Sequence, residues 1–176
     1  MKKVRFHGRG GQGAVTASEV LAMAAFKDNK FSQAFPAFGV ERRGAPVQSF
    51  TKISDQFIRE RTQIYNPDYV VVMDPTLVDV VDVSDGLGKG GKIIINSNVE
   101  EDKRLAGFDS HKVDATGIAL KHLGIPIVNI VMLGAFIKVS GDVTMDSLAW
   151  AINKRFGEKL GKKNIDAAKA AYDAVA

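Results

Sequence analysis

Residues 7–13 read His7-Gly8-Arg9-Gly10-Gly11-Gln12-Gly13 and follow directly on the apolar run Val4-Arg5-Phe6. Glycine occupies four of the last six positions, so the backbone N–H groups there have few side chains around them. The segment connects a predicted strand, residues 3–6, to a predicted helix of small residues, 14–27, whose dipole directs positive charge at the turn. Such a turn is suited to binding an anion. The stretch therefore predicts a strand–loop–helix unit with an anion site at its bend.

Strands and helices alternate along the rest of the chain. Further buried strands are predicted at residues 69–73, 92–96 and 112–113, and an extended segment at 31–38. Residues 46–53 and 57–64 predict a β-hairpin around 54–56. Helical spacing marks 76–83, 115–123 and two segments after Pro126. We therefore predict one α/β domain over residues 1–176, with a mainly parallel, Rossmann-like sheet flanked by helices and an inserted β-hairpin.

Four polar residues stand where helices are expected to begin. Thr144 and Asn164 precede the two C-terminal helical segments and are predicted N-caps. Asp74 and Asp114 each follow a predicted strand, where a carboxylate either caps the next helix or faces a crevice at the strand ends. We predict capping for both, and the crevice position is the alternative.

The composition limits the class of protein. The 176 residues are 45% hydrophobic and 25% charged, as in ordinary soluble domains, and no apolar run approaches the ~20 residues of a membrane span. The basic N-terminus turns at once to glycine and does not resemble a signal peptide, so we expect a cytoplasmic protein. Cysteine is absent. Any iron–sulfur centre that the chain serves must therefore be held by another polypeptide.

The net charge of +4 is unevenly distributed. Residues 1–60 contain ten Lys and Arg against five Asp and Glu, whereas residues 61–176 contain fourteen against fifteen. The basic surplus lies with the glycine-rich loop, which favours an anionic ligand or an acidic partner at that end of the chain. A basic surface without a ligand is the alternative. Nucleic acid is not predicted, because no motif typical of its recognition is present.

Gly8, Gly10 and Gly13 satisfy the G-x-G-x-x-G pattern of dinucleotide-binding folds. That pattern also requires an acidic residue about 20 positions further on, which binds the ribose. Here the second extended segment ends in Phe35-Pro36-Ala37-Phe38-Gly39, without a carboxylate before Glu41. NAD or FAD binding is therefore the weaker interpretation. Glycines that permit tight packing of helix on strand, with no ligand, are the structural alternative.

A few other side chains could contribute chemistry. His7 is either an acid–base group or, as we prefer, hydrogen-bonded to loop backbone. Arg42 and Arg43 form a basic turn that either clamps a phosphate or carboxylate or is simply solvated. His111 and His122 have no partners at metal-ligand spacing, so no metal site is predicted. No catalytic triad or paired catalytic carboxylates emerge, and no catalytic residue is predicted on this chain.

Several motifs together resemble the gamma subunit of 2-oxoacid:ferredoxin oxidoreductases. They are the loop at residues 7–13, Gln33-Ala34-Phe35-Pro36, Glu41-Arg42-Arg43-Gly44-Ala45-Pro46, Asn66-Pro67-Asp68 before the strand at 70–74, Val113-Asp114-Ala115-Thr116, and Val131-Met132-Leu133-Gly134-Ala135. The motifs occur in the family's order and cover residues 3 to about 160. Arg43 departs from the family's better-known form of the turn, which has threonine there. The turn is otherwise similar to that of pyruvate or branched-chain oxoacid members.

The resemblance implies one subunit of a larger enzyme, inactive alone. Such enzymes decarboxylate a 2-oxoacid oxidatively with coenzyme A, forming an acyl-CoA and carbon dioxide and reducing ferredoxin. Thiamine diphosphate, Mg²⁺ and [4Fe-4S] clusters are then expected on partner subunits of alpha, beta and delta type, with no cofactor on this chain. The alternatives are a free-standing nucleotide- or NAD-binding Rossmann-like protein and a nucleotide-sensing module.

The loop and the basic turn together form the predicted ligand site. We expect Gly8, Arg9, Gly10, Gly11, Gln12 and Gly13, with Arg42 and Arg43, to face a shared active-site crevice. There they would hold phosphate groups of coenzyme A or close the chamber against partner subunits. The expectation rests on the coincidence of bare backbone donors with the basic part of the chain.

Overall fold

The computed structural model describes residues 1–37, 43–99 and 103–176. Six strands form one sheet: β1 (Lys2–Arg9), β2 (Phe31–Pro36), β3 (Pro46–Ser54), β4 (Tyr69–Val72), β5 (Lys92–Asn96) and β6 (Asp109–Val113). The α-helices are α1 (Ala14–Lys27), α2 (Ala115–Leu123), α3 (Asn129–Ser140) and α4 (Met145–Ala174). Two short 3₁₀ helices span Pro75–Asp79 and Lys103–Leu105.

The strand order in the sheet is β2-β3-β1-β4-β5-β6. The pairs β1–β4, β4–β5 and β5–β6 are parallel, whereas β1–β3 and β2–β3 are antiparallel. The predicted fold class is confirmed: helices flank a mainly parallel sheet, and an antiparallel pair is inserted between α1 and β4. Val fills three of the four positions of β4 and Ile three of the five of β5, because both faces of these strands are covered.

The inserted hairpin differs from the one predicted. The prediction that residues 57–64 pair with 46–53 is wrong, because residues 57–64 form no strand. β3 pairs instead with β2, from Phe31 opposite Ser54 to Pro36 opposite Ser49. Ile58 and Ile64 bury their side chains and hold the connecting segment against the sheet. The apolar residues of this segment therefore anchor a loop here rather than form a strand.

The main core lies between one face of the sheet and the four α-helices. Val4, Phe6 and Val71 point to that face and contact the helices, while Val70 and Val72 point to the other. The second face of β4 and β5 is covered by Leu77, Val83 and Leu105 from the segments around the 3₁₀ helices. The two faces differ because successive side chains of a strand alternate. All four α-helices thus lie on one side.

Three of the predicted helix caps agree with the structure. The side chain of Asp74 accepts from the N–H of Thr76, and that of Asp114 accepts from the N–H of Gly117, which confirms both predicted caps. Thr144 likewise caps α4. The helix predicted at 76–83 is only the 3₁₀ turn Pro75–Asp79. The prediction that Asn164 is a cap is wrong, because it lies inside α4, which bends at Gly157 instead.

Gly134 permits the close approach of α3 and α4. A Cβ atom at this position would lie 1.9 Å from the carbonyl oxygen of Ala168. The small residues in this segment therefore serve helix packing. Among the described residues, no helix is both long enough and apolar enough to cross a bilayer.

Candidate functional site

The predicted loop lies where the sheet reverses its winding. From β1 the chain continues through α1 to β2 and β3 on one side, whereas β4 continues to β5 and β6 on the other. β1 and β4 are parallel neighbours, so their carboxyl ends, at Arg9 and Val72, lie at the same edge of the sheet. Ligands of open α/β sheets bind at such a switch point. The topology therefore brings the glycine-rich loop and Asp74 together in one crevice.

Three glycines of the loop have distinct roles. Gly8 faces α1, and a Cβ atom there would lie 3.3 Å from Cβ of Ala14, which supports the helix-packing interpretation for this residue. Gly11 and Gly13 have φ values of 95° and 80°, which side chains disfavour. A Cβ atom on Gly13 would also lie 2.4 Å from the side-chain nitrogen of Asn129. Gly11 and Gly13 thus permit the shape of the loop, whereas Gly8 permits its close packing against α1.

Several backbone donors of the loop are already satisfied within the protein, contrary to the expectation of a bare loop. The N–H of Arg9 donates to Oε1 of Gln12 at 2.7 Å, and that of Gly10 donates to the Ala45 carbonyl at 2.9 Å. The N–H of Gln12 donates to the Arg9 carbonyl at 2.9 Å. The N–H groups of Gly11 and Gly13 have no acceptor among the described residues. Only this outer part of the loop remains available to a ligand.

The side chains of Arg9 and Gln12 turn inward to Asp74. Oδ2 of Asp74 accepts from Nε of Arg9 and from Nε2 of Gln12, both at 3.0 Å. Arg9 also donates to the Gly44 carbonyl at 3.1 Å and to the hydroxyl of Thr76 at 2.7 Å. One carboxylate after β4 thus fixes two side chains of the loop after β1. We call Arg9, Gln12, Asp74 and Thr76 the switch-point network.

Asp74 is ionised at neutral pH. Partial burial acts to raise the pKa of its carboxyl, but hydrogen bonds from Thr76 and Gln12 and the charge of Arg9 outweigh burial and lower the pKa. The carboxylate and the Arg9 guanidinium largely neutralise each other. Arg9 consequently offers a ligand less positive charge than the sequence suggests, and its main role is to hold the loop.

The basic turn lies beside the loop. Arg43 forms an isolated parallel bridge with Gly10, and the N–H of Gly44 donates to the Gly10 carbonyl at 3.1 Å. Arg43 is exposed, and its guanidinium makes no hydrogen bond or ion pair with the described residues. Arg42 lies outside the described residues. Of the predicted cations that the structure describes, Arg9 is held by Asp74 and Arg43 is available at the edge of the crevice.

The first turn of α1 opens onto the same edge. Gly13 precedes the helix without a capping side chain, and the turn contains no acidic residue. Uncapped N–H groups carry the positive end of the helix dipole. Together with Arg43 and the N–H of Gly11, they form an electropositive region, which we call the outer crevice. This part of the site can bind phosphate or carboxylate oxygens.

Two buried asparagines support the site and were missed in the sequence. Nδ2 of Asn129, at the start of α3, lies 3.4 Å from the Gly13 carbonyl. Asn96 ends β5 and donates to the Met73 carbonyl and to the Thr116 hydroxyl, each at 2.9 Å. For Asn96 a signal existed, because a polar residue closes an otherwise apolar strand at the functional edge. Asn129 has no comparable local signal.

His7 points to the sheet face opposite α1 and is only 1% exposed. Burial and the nearby charge of Arg5 lower the pKa of its imidazole to about 3, against a weaker opposing effect of Asp82. Its Nε2 has no hydrogen-bond partner in the described part of the chain. A neutral, enclosed imidazole cannot exchange protons with a substrate near neutral pH. The acid–base interpretation of His7 therefore fails, although the residue adjoins the loop.

The sequence matches a known family along nearly its whole length. The family model described as "Pyruvate ferredoxin/flavodoxin oxidoreductase" matches residues 3–174. The chain belongs to this oxidoreductase family. The match confirms the resemblance seen in the sequence motifs.

Within residues 1–37, 43–99 and 103–176, no group of three or more His, Cys, Asp or Glu could hold a metal ion.

Relatives within the oxidoreductase family are similar over the full chain. Pyruvate synthase subunit PorC of Methanothermobacter marburgensis is 59% identical over 98% of this chain and 97% of its own. The common subunit gamma of the pyruvate/ketoisovalerate oxidoreductases of Thermococcus kodakarensis is 53% identical, covering 98% and 96%. The crystal structure of pyruvate oxidoreductase subunit PORC from Thermotoga maritima superposes with a TM-score of 0.89 at 36% identity, covering 99% and 97%.

Proposed function

We propose that this chain is the gamma subunit of a 2-oxoacid:ferredoxin oxidoreductase and acts on pyruvate or a branched-chain 2-oxoacid. The observation that carries the proposal is the 59% identity to a pyruvate synthase subunit across nearly all of both chains. The common gamma subunit of pyruvate and ketoisovalerate enzymes, at 53% identity, supports the same substrate range. The partners would be alpha-, beta- and delta-type subunits in the cytoplasm, with ferredoxin as the electron acceptor of the complex.

The chemical step belongs to the assembled enzyme. The C–C bond to the carboxylate breaks and releases carbon dioxide, and the acyl carbon is bonded to the sulfur of coenzyme A, whose thiol proton is released. The two electrons of this oxidation pass to ferredoxin. Thiamine diphosphate with Mg²⁺ and [4Fe-4S] clusters would supply this chemistry from partner subunits. A thiolate-held cluster does not fit this chain, because it contains no cysteine. The contribution of this chain is to bind and orient coenzyme A and to enclose the reaction chamber.

The outer crevice is the proposed contact for phosphate groups of coenzyme A. The N–H of Gly11, the uncapped first turn of α1 and the exposed guanidinium of Arg43 present donors and positive charge there. Arg42, the neighbour of Arg43, is included in this proposal from the sequence. Gly8, Gly10, Arg9 and Gln12 act indirectly, because their contacts hold the loop in shape.

A contact with a partner subunit at the same crevice is the second candidate. The switch-point network occupies the inner crevice, where a small ligand would have to displace Arg9 or Gln12 from Asp74. A rigid, self-satisfied network of this kind is suited to support a protein interface. Coenzyme A affinity and subunit assembly therefore need to be measured separately.

The test uses the complex reconstituted from this chain and the other subunits. Replacement of Arg43 by alanine should raise the KM for coenzyme A about tenfold, since one charge-assisted hydrogen bond to phosphate is worth ~1.5 kcal/mol at an exposed site. The KM for the oxoacid and the yield of complex should not change. Arg42→Ala should act similarly, whereas Lys89→Ala, an exposed cation remote in sequence, is the matched control.

Three results would contradict parts of this proposal. An unchanged KM for coenzyme A in both arginine variants, with normal assembly, removes the phosphate contact and leaves the subunit role intact. Loss of assembly in the Arg43 variant, with a normal KM in the complex that does form, favours the partner contact. A wild-type chain that neither joins such a complex nor supports its activity overturns the proposed function itself.

A further inference from the structure

We propose that the outer edge of β2 docks an extended, acidic segment of another subunit, which adds to the sheet as a seventh strand. The inference rests on the proposed function, because it assigns the partner to the same oxidoreductase complex. We define the β2-edge surface as the outer backbone of β2 together with Phe31, Phe57, Arg59 and Arg61. This surface lies apart from the glycine-rich loop and the switch-point network.

The outer edge of β2 has no strand partner among the described residues. Within the described part of the chain, β2 pairs only with β3, so the backbone groups on its other side have no strand partner. None of its six residues is buried, in contrast to β1, β3, β4 and β5. Natural sheet edges are usually protected by charged residues, bulges or a covering element. Here proline at position 36 limits pairing only at the very end of the strand.

Aromatic side chains border this edge. Phe57 is 71% exposed and Phe31 is 46% exposed, and their rings meet edge to face with centroids 5.8 Å apart. A groove of about 390 Å³ runs between them and the neighbouring Ser32, Gln33, Ile58, Arg59 and Arg61. Phe31 also lines a second groove, of about 490 Å³, together with Phe26 and Trp150. Exposed aromatic side chains grouped in this way are unusual for a surface that faces only water.

The charge of the surface selects the partner. Arg59 and Arg61 are exposed, and neither makes a hydrogen bond or ion pair with the described residues. The intervening Glu60 does not neutralise them, because its carboxylate binds Lys3 at 3.3 Å and Lys52 at 3.4 Å. Two uncompensated guanidinium groups beside apolar rings favour an acidic segment with apolar side chains.

A second copy of this chain fits the surface less well. Pairing of β2 with β2 across a two-fold axis would bring Arg59 and Arg61 of both copies to the same short ladder. Like charges so placed repel, and the chain as a whole already carries +4. A different, acidic polypeptide satisfies both the backbone edge and the arginines. Strand addition of this type is a common mode of recognition.

The experiment uses the reconstituted complex. Arg59→Glu with Arg61→Glu should weaken binding of this chain to the remaining subunits at least tenfold, as should Phe57→Ser. The matched controls are Lys162→Glu with Lys163→Glu on α4 and Phe108→Ser beside β6 at the opposite edge of the sheet. Both controls should bind as the wild type does. Thermal unfolding of each free variant verifies that the fold is intact.

A measurement without any variant complements the mutants. Amide hydrogen exchange of peptides covering residues 31–36 should slow on assembly, because a new strand partner protects the outward N–H groups. If the wild type assembles but these peptides exchange unchanged and the variants bind normally, the docking surface is wrong and the subunit role stands. A dimer of the free chain that Phe57→Ser abolishes would show self-pairing instead. If the wild type does not assemble, both proposals fail.

Discussion

Acidification should destabilise this protein through His7 well before most carboxylates titrate. The imidazole is enclosed, and burial with the charge of Arg5 lowers its pKa from 6.5 to about 3 in the folded state. In the unfolded chain the pKa returns to ~6.5, so the unfolded state binds a proton that the folded state refuses. Because the pKa of His7 is lower in the folded state, its neutral form contributes fully to the free energy of unfolding above pH 6.5. This contribution is lost as the pH falls toward 3.

The loss can be calculated at pH 5. This pH is 1.5 units below the pKa of His7 in the unfolded chain. The imidazole is therefore almost fully protonated in the unfolded state and neutral in the folded state. At 1.36 kcal/mol per unit the free energy of unfolding falls by ~2 kcal/mol relative to pH 7.5. The result hardly depends on the folded pKa, provided that this stays below about 4. For a chain of this size the melting temperature should fall by ~4–8 °C.

Urea unfolding at pH 7.5 and pH 5 measures this difference. His7→Gln removes the titrating group, so most of the ~2 kcal/mol difference should disappear even if the variant is less stable at both pH values. His122→Gln, which removes a half-buried histidine of α2 and leaves His7 in place, is the control and should retain the wild-type difference. If the wild type shows no difference, or His7→Gln keeps all of it, the argument from the burial of His7 is refuted.

Three substitutions test the packing, the loop and a cap, each by its urea midpoint. Gly134→Ala should destabilise by ~1–3 kcal/mol, because the new methyl group meets the Ala168 carbonyl, and this outweighs the gain of about 1 kcal/mol in helix propensity. Asp74→Asn should cost ~1–3 kcal/mol, since the donors of Arg9 and Gln12 lose their shared acceptor. Thr144→Ala should cost ~1 kcal/mol through loss of the α4 cap.

Each of these predictions has a matched control. Gly88→Ala adds a methyl group where no atom lies within 4 Å, and should be nearly neutral. Asp74→Glu keeps the charge and should lose less than Asp74→Asn, and Thr144→Ser keeps the capping hydroxyl. A more stable Gly134→Ala protein, an Asp74→Asn protein as stable as wild type, or equal losses in the serine and alanine variants of Thr144 would each contradict its prediction.

The elements predicted best are those whose local pattern and packing agree. Helices α1 and α2 and strand β5 begin and end at the predicted residues, because small-residue or capped helical runs and a bare Ile run allow few alternatives. The family could be predicted because several motifs occur together in the family's order, whereas each motif separately fits many proteins.

The features that escaped prediction depend on residues distant in sequence. Nothing near Gly10 shows that its N–H will meet the Ala45 carbonyl, and nothing near Arg9 shows that Asp74, 65 positions away, will hold its side chain. The basic surplus therefore overstated the charge offered to a ligand. Likewise, the composition of residues 57–64 could not reveal that β3 already had partners on both sides.

The sheet topology explains why a glycine pattern typical of dinucleotide binding does not make this a dinucleotide fold. In such folds a second parallel strand beside β1 ends at the same edge as the loop and carries the ribose-binding acid. Here the neighbour on that side is β3, which runs antiparallel, so its carboxyl end at Ser54 lies at the opposite edge. Its amino end instead brings Gly44 and Ala45 to the loop as carbonyl acceptors. A turn whose carbonyl groups accept hydrogen bonds from the loop thus lies where a dinucleotide fold has its ribose-binding carboxylate. The free-standing NAD-binding alternative therefore loses its structural basis.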